Sequence, residues 1–256
     1  MRDVTESLIL NYKKSFNHLA NATQRRKLYS LSSLFDFALK RKIIEKNPLK
    51  YVIKPKIKNQ IQSHILNETE INQILKFTKE SISKKSSAYV YQRIRYLLFV
   101  TLFNTAFRLK EITLLQFSHF SFINGKTKVT IPHAKGSEEH FIFVSEKLNR
   151  VVQDFKEEFS LEDHSFLFLS RDFQKASSTK RIYNIVKDTI NKCQIKKIIT
   201  PHSCRASVAT LLHHKGIPIV QIQKFLNHKD INTTSVYLRK SEEMKDQASL
   251  RINIEE

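Results

Sequence analysis

Apolar residues recur at three- and four-residue steps over residues 5–20 and 23–42, the spacing that gathers them on one face of an α-helix. In the second stretch Leu28, Leu31, Leu34 and Phe35 are read onto a shared face. Asn47-Pro48 ends the pattern, because the residue before a proline avoids the helical region. Residues 49–63 are polar and basic with Pro55 among them, so they read as an exposed linker and a domain boundary. Asn67 then reads as the cap of a new helix, with Glu68 and Glu70 in its first turn and Ile71, Ile74 and Leu75 as its apolar stripe. A long apolar helix is expected from about Ala88 to Phe103 and a short one from Arg108 to Gln116. Lys126–Ile131 and His140–Val144 read as two strands, joined by a turn at Ala134-Lys135-Gly136-Ser137. Helices return at 146–159 and 180–192. Thr200-Pro201 opens another that Gly216 closes, and Pro218 opens a last one. The pattern predicts an α+β, mainly α fold: a helical domain with one small antiparallel sheet, preceded by a short helical region. There is no internal repeat and no low-complexity tract.

Composition narrows the function. The chain has 256 residues, 41% of them apolar, enough for a packed core in one large domain or two smaller ones. Forty-four Lys and Arg face 24 Asp and Glu, a net +20. Residues 1–60 alone hold fourteen basic and four acidic side chains, so half of that charge sits in less than a quarter of the chain. Such an excess is the electrostatic footprint of a polyanion partner, most often nucleic acid. An anionic membrane is the lesser expectation, since Lys54-Pro55-Lys56-Ile57-Lys58 has too little apolar content for an interfacial helix. The 3 glycines, Gly125, Gly136 and Gly216, lie far apart and exclude a Gly-rich phosphate cradle. The 2 cysteines, Cys193 and Cys204, supply neither a disulfide framework nor a four-ligand zinc site. The longest apolar run, Leu97–Val100, is far below the ~20 residues of a membrane span. The start, Met1-Arg2-Asp3-Val4, is no signal peptide. A soluble cytoplasmic protein is expected.

Candidate chemistry begins at Thr200-Pro201-His202-Ser203-Cys204-Arg205. A cap followed by proline places His202 and Arg205 in the opening helical turn, three residues apart and on one face. Free N–H groups and the positive dipole end point the same way, as a phosphate site requires. Alone the signal is weak: with 10 His and 13 Arg, His-x-x-Arg arises by chance about 0.5 times in such a chain. Metal binding by Cys193, Cys204, His202 and His228 fits no zinc spacing.

The surrounding motifs change the odds. Upstream lies Asn104-Thr105-Ala106-Phe107-Arg108-Leu109-Lys110-Glu111-Ile112, then the turn with Lys135. Downstream lie Leu226-Asn227-His228-Lys229-Asp230 and Thr234-Ser235-Val236-Tyr237. The order Arg, Lys, His-x-x-Arg, His, Tyr resembles the tyrosine recombinase (phage integrase) family, and most of all its Xer-type members, over about 65–240. Arg108 matches the family's Thr-Gly-Leu-Arg-x-x-Glu box, Lys135 its β-hairpin lysine, and His202 with Arg205 its His-x-x-Arg box. His228 and Tyr237 match its closing Gly-His and nucleophile box.

The resemblance implies a site-specific DNA recombinase that cuts and rejoins strands through a covalent 3′-phosphotyrosine, with no metal, ATP or other cofactor. Tyr237 is then the nucleophile, and Arg108 and Arg205 hold the phosphate oxygens. His228 adds a hydrogen bond, His202 handles a proton, Lys135 is the general acid, and Glu111 supports the site. It also implies double-stranded DNA with inverted half-sites as partner, and a homotetramer on DNA. The tail after Tyr237, with Met244, Ala248, Leu250 and Ile252, would dock onto a neighbour. Residues 1–50 then correspond to a helical core-binding region, 51–63 to a basic linker and 64–256 to the catalytic domain with its tail. Arg25, Arg26, Lys54, Lys56 and Lys58 are the expected DNA contacts outside it.

Departures from the pattern are specific. Asn227 stands where the family usually has Gly, Ala106-Phe107 replace Gly-Leu, and Cys204 and Ala206 flank Arg205 where Leu and His are common. Only about two helices precede the linker where the family's unit usually has four, so a shortened form or a missing preceding segment is expected. Two other readings share the residues: a type IB topoisomerase-like relaxing enzyme, and a non-catalytic DNA-binding relative.

Overall fold

The computed structural model describes residues 4–56, 64–131, 140–170 and 175–228. The chain divides into two compact units, residues 1–60 and 61–256.

The first unit is built on α1 (Glu6–Ser15) and α2 (Asn21–Lys40). Thr5 caps α1 by accepting from the Leu8 N–H. That helix ends five residues before the expected limit, because Phe16 leaves helical geometry and turns inward, 4% exposed. Its partners are Ile9, Leu28 and Phe35. On α2 the buried positions are Gln24, Leu28, Phe35 and Ala38, with Leu31 half-buried between them. Leu34 is 45% exposed and lies off the face to which it was assigned. The correction is one of angle: a step from 31 to 35 keeps the stripe, whereas 34 rotates out of it. Buried Gln24 is satisfied, since its Nε2 donates to the carbonyls of Asn17 (3.1 Å) and Leu19 (2.7 Å). After the Asn47-Pro48 stop, the Asn47 side chain accepts from the Leu49 N–H at 2.8 Å and bends the chain back. Leu49 and Val52 are therefore buried in this unit's core, not exposed in a linker as their basic surroundings suggested.

The second unit is organised around α4 (Tyr89–Thr105), buried from Ile94 through Leu102. A helix apolar on every side must sit inside, and α3 (Glu68–Glu80), α6 (Glu146–Glu158) and α8 (Pro201–His214) pack on it. Asn67 and Glu70 form a reciprocal capping box at the start of α3, each side chain and N–H pairing at 2.8 Å. Ser145, Ser178 and Thr200 cap α6, α7 (Thr179–Lys192) and α8 by a single bond each, their side-chain oxygens accepting the N–H groups of Leu148, Arg181 and Ser203. After α4 come α5 (Leu109–Leu114), a 3-10 turn at Phe117–His119 and a three-stranded antiparallel sheet. The chain then reaches α9 (Ile219–Leu226) after α8.

The sheet has one strand more than the alternation indicated. β2 (Lys126–Ile131) and β3 (His140–Val144) are as expected, and β1 (Phe120–Ile123) pairs with the outer side of β2. Only Phe120 of β1 is buried, so the strand shows no alternation of its own. Its signature is the connection: Asn124 and Gly125 both hold positive φ, +50° and +76°, as a type I′ hairpin turn demands. The expected turn at 134–137 lies outside the described residues. Among the described residues no helix is long and apolar enough to cross a membrane.

Candidate active site

Arg108 is delivered by a sharp turn between α4 and α5. Ala106 closes α4 in the left-handed region (φ +51°), Phe107 anchors the turn at 1% exposure, and Arg108 becomes the N-cap of α5 in extended geometry. It does not lie inside the helix, as the sequence suggested. Glu111 at the third helical position reaches back. Its carboxylate accepts the Arg108 backbone N–H at 2.6 Å and Nη1 at 2.8 Å. The guanidinium thereby has a fixed direction, although the side chain is 45% exposed.

Arg205 comes from the first two turns of α8 and is 2% exposed. Nη1 donates to the Ala106 carbonyl at 2.7 Å and Nη2 donates to the Leu226 carbonyl. Glu111 Oε2 stands 4.0 Å from Nη1, so one carboxylate faces both guanidinium groups. A buried cation needs this compensation, because hydrogen bonds and a counter-charge must replace lost hydration.

The two arginines converge on the end of α9. Arg108 Nη2 donates to the Asn227 carbonyl at 2.9 Å, one residue beyond the carbonyl that Arg205 holds. Asn227 makes the approach possible by turning left-handed (φ +50°, ψ +51°). Its N–H then returns to the Lys224 carbonyl, and that of His228 to the Gln223 carbonyl at 3.1 Å. His228 is set down beside the guanidinium pair.

The histidines respond to that pair. Burial first, then Arg205, Arg108 and His202, push the His228 imidazole down to about 4. His202, on the outer side of α8, lies below the usual imidazole range through lost hydration first and the two arginines second. Both rings are neutral at pH 7, so each offers one donor and one acceptor nitrogen.

Of the residues singled out from sequence, the structure therefore brings Arg108, Glu111, His202, Arg205 and His228 together. Lys135 and Tyr237 lie outside the described residues, as do Lys58 and the tail residues Met244, Ala248, Leu250 and Ile252. In the first unit Tyr29 is exposed between Arg25, whose Nη2 donates to its hydroxyl at 3.2 Å, and Lys54, 4.4 Å from its ring centre. Arg26 and Lys56 are exposed elsewhere on this unit. Sequence reasoning missed His140, the first residue of β3. Its ring is half-buried and lies within electrostatic reach of Glu111, Arg108 and Arg205, and lost hydration, the largest cause, holds it below the usual imidazole range. A lone histidine opening a strand carries no motif, so nothing local marked it.

The phage integrase family model matches residues 64–244. The chain belongs to the phage integrase family. Its relatives include a tyrosine recombinase of Pseudothermotoga lettingae, 29% identical over 233 residues, 91% of this chain and 76% of that one. Tyrosine recombinase XerC of Pediococcus pentosaceus is 26% identical over 88% of this chain and 74% of its own. Among solved structures, the XerH site-specific recombinase bound to palindromic difH substrate, in a post-cleavage complex, superimposes with a TM-score of 0.76. It is 21% identical and matches over 96% of this chain and 72% of XerH. The Tn1549 transposon integrase with circular intermediate DNA gives 0.72 at 19% identity, over 98% and 86%. The mainly α architecture with its three-stranded sheet is that of a phage integrase catalytic domain, and this member is Xer-like. Membership makes it a DNA breaking-and-rejoining recombinase by class, with DNA as its partner. In the family the positions of Ala106 and Asn227 usually hold Gly, and both are left-handed here. That backbone geometry accounts for the family's preference.

Proposed function

We propose that this chain recombines double-stranded DNA at sites with inverted half-sites, through a 3′-phosphotyrosine formed by Tyr237. The observation that carries the reading is the convergence of Arg108 and Arg205 on the end of α9, bridged by Glu111 and flanked by His202 and His228. A guanidinium fork matches two phosphate oxygens, and two forks fixed in advance stabilise the charge that builds on a pentacoordinate phosphorus.

The Tyr237 oxygen attacks phosphorus and the bond from phosphorus to the 5′-oxygen breaks. The DNA 3′-phosphate is left on the tyrosine, and the departing oxygen takes a proton from Lys135. Ionising a free phenol at pH 7 costs about 4 kcal/mol. The guanidinium pair and neutral His202, accepting the phenolic proton, offset that cost. His228 donates to a phosphate oxygen. Because a phosphodiester is exchanged for a phosphotyrosine, the reverse attack by another strand's 5′-hydroxyl needs no ATP. Arg25, Arg26, Lys54, Lys56 and Lys58 would contact the DNA backbone, and the tail would join copies into a tetramer. A type IB topoisomerase reading is not favoured, since the relatives are named recombinases.

The test uses nicked suicide duplexes built from inverted repeats flanking the coding sequence. The wild type should form a denaturant-resistant protein–DNA adduct, and Tyr237→Phe should form none. An adduct of equal yield in the variant overturns the assignment.

A further inference from the structure

The three-stranded sheet has two unlike faces. Thr127, Val129, Ile131 and Ile142 are buried on the inner one. Alternation along the strands puts Lys126, Lys128, Phe141 and Phe143 on the outer one, where Lys128 pairs in register with Phe143. Phe141 is 46% exposed and Phe143 52%, and their rings meet edge to face with centres 5.7 Å apart. Lys128 Nζ lies 4.3 Å from the Phe141 ring centre, and Lys126 Nζ lies 6.0 Å from that of Phe143. The three strands contain no Asp or Glu. β3 starts beside the anion receptor, since His140 lies within electrostatic reach of Arg108 and Arg205.

Two exposed aromatic rings with ammonium groups over them supply what an unpaired strand requires: π-faces for its bases and cations for its phosphates. A duplex keeps its bases stacked inside and offers the rings nothing. A second copy of this face would set lysine against lysine. An acidic peptide satisfies the lysines but brings no flat groups to the rings. We propose that the outer face of the sheet holds single-stranded DNA, the stretch of a cut strand passing from one duplex to the other. The inference rests on the strand exchange proposed above, although the binding itself needs no cleavage. A strand that changes partners leaves its old complement before it joins the new one, and its bases are bare in between. Stacking on Phe141 and Phe143 replaces the lost base contacts, while Lys126 and Lys128 swing from the rings to the phosphates.

Binding of a fluorescent oligothymidylate of about 8 nucleotides, which cannot pair with itself, tests the proposal on the full chain, with duplex affinity measured alongside. Phe141→Leu and Phe143→Leu keep the apolar bulk but lose the ring. Each should weaken oligothymidylate binding about 5–100-fold with duplex affinity unchanged. Phe141→Tyr and Phe143→Tyr keep the ring and should bind like the wild type. The double variant Lys126→Ala, Lys128→Ala should reduce the salt slope of binding by about 1.4. Unchanged oligothymidylate affinity in the leucine variants overturns the proposal, as does an equal loss of duplex affinity or an unchanged salt slope. It is also overturned if polyglutamate binds the wild type and is lost from the leucine variants to the same degree, which would mark a surface for acidic chains. A wild-type dimer that those variants abolish overturns it in favour of a second copy. The assay involves no adduct, so a failure of the Tyr237 assignment leaves its outcome readable, and the two readings fail separately.

Discussion

Glu111 holds Arg108 at two points, accepting its backbone N–H at 2.6 Å and its Nη1 at 2.8 Å. The first bond caps α5 and the second aims the guanidinium, so helix start and anion receptor are one device. Glu111→Gln keeps an acceptor but removes the charge that also faces Arg205. Adduct formation should fall about 10–100-fold with a modest fall in melting temperature. Single-turnover cleavage and thermal melting check this.

Arg108 and Arg205 share a chemical assignment but not an environment. Arg205 is 2% exposed and satisfies the Ala106 and Leu226 carbonyls. Its replacement by Ala leaves both acceptors and a nearby carboxylate uncompensated, and should cost about 3–5 kcal/mol in urea unfolding. Arg108, with a half-exposed side chain, should cost under about 1 kcal/mol as Lys. Arg108→Lys should nonetheless lose about 100–1,000-fold in cleavage, because the fork is gone.

Ala106 pays for its left-handed turn, since a Cβ there costs about 1–2 kcal/mol that glycine avoids. Ala106→Gly should raise unfolding free energy by about 1 kcal/mol, less whatever the freer unfolded chain takes back. Asn227→Gly should change it less, because asparagine tolerates the same region. Denaturant titration of both variants decides.

Acid should destabilise the free protein through His228. Its folded imidazole titrates at about 4, against ~6.5 in an unfolded chain. Between those values the unfolded chain holds a proton that the folded chain does not, so stability rises with pH across that window. It is lost as pH falls from about 6.5 towards 4. His202 and His140, also lowered, add in the same direction. Melting temperature should therefore drop below pH 6.5, and His228→Asn should flatten that drop.

What sequence revealed was mostly local. Asn67 with Glu70 and Thr200 with Pro201 mark helix starts through bonds made within four residues, and they are where the motifs put them. The guanidinium pair was legible only through ordered motifs, since 97 residues separate Arg108 from Arg205. β1 was missed because three of its four side chains face solvent, although Asn124-Gly125 announced a hairpin. Leu49 and Val52 were hidden by the lysines around them, and burial there follows from a bend that composition does not record. His140 was invisible because the charges it meets come from other elements, Arg108 and Glu111 before it in the chain and Arg205 after it.

The left-handed exit at Asn227 sets how much drift this site tolerates. A helix advances about 100° per residue, so inserting or deleting one residue between Ile219 and Leu226 would swing the Leu226 and Asn227 carbonyls away from both guanidinium donors at once. Length variation that loops absorb would here dismantle the anion receptor as a whole. Across descendants of this gene, the eight-residue span of α9 should prove far less negotiable than the identities of the side chains along it.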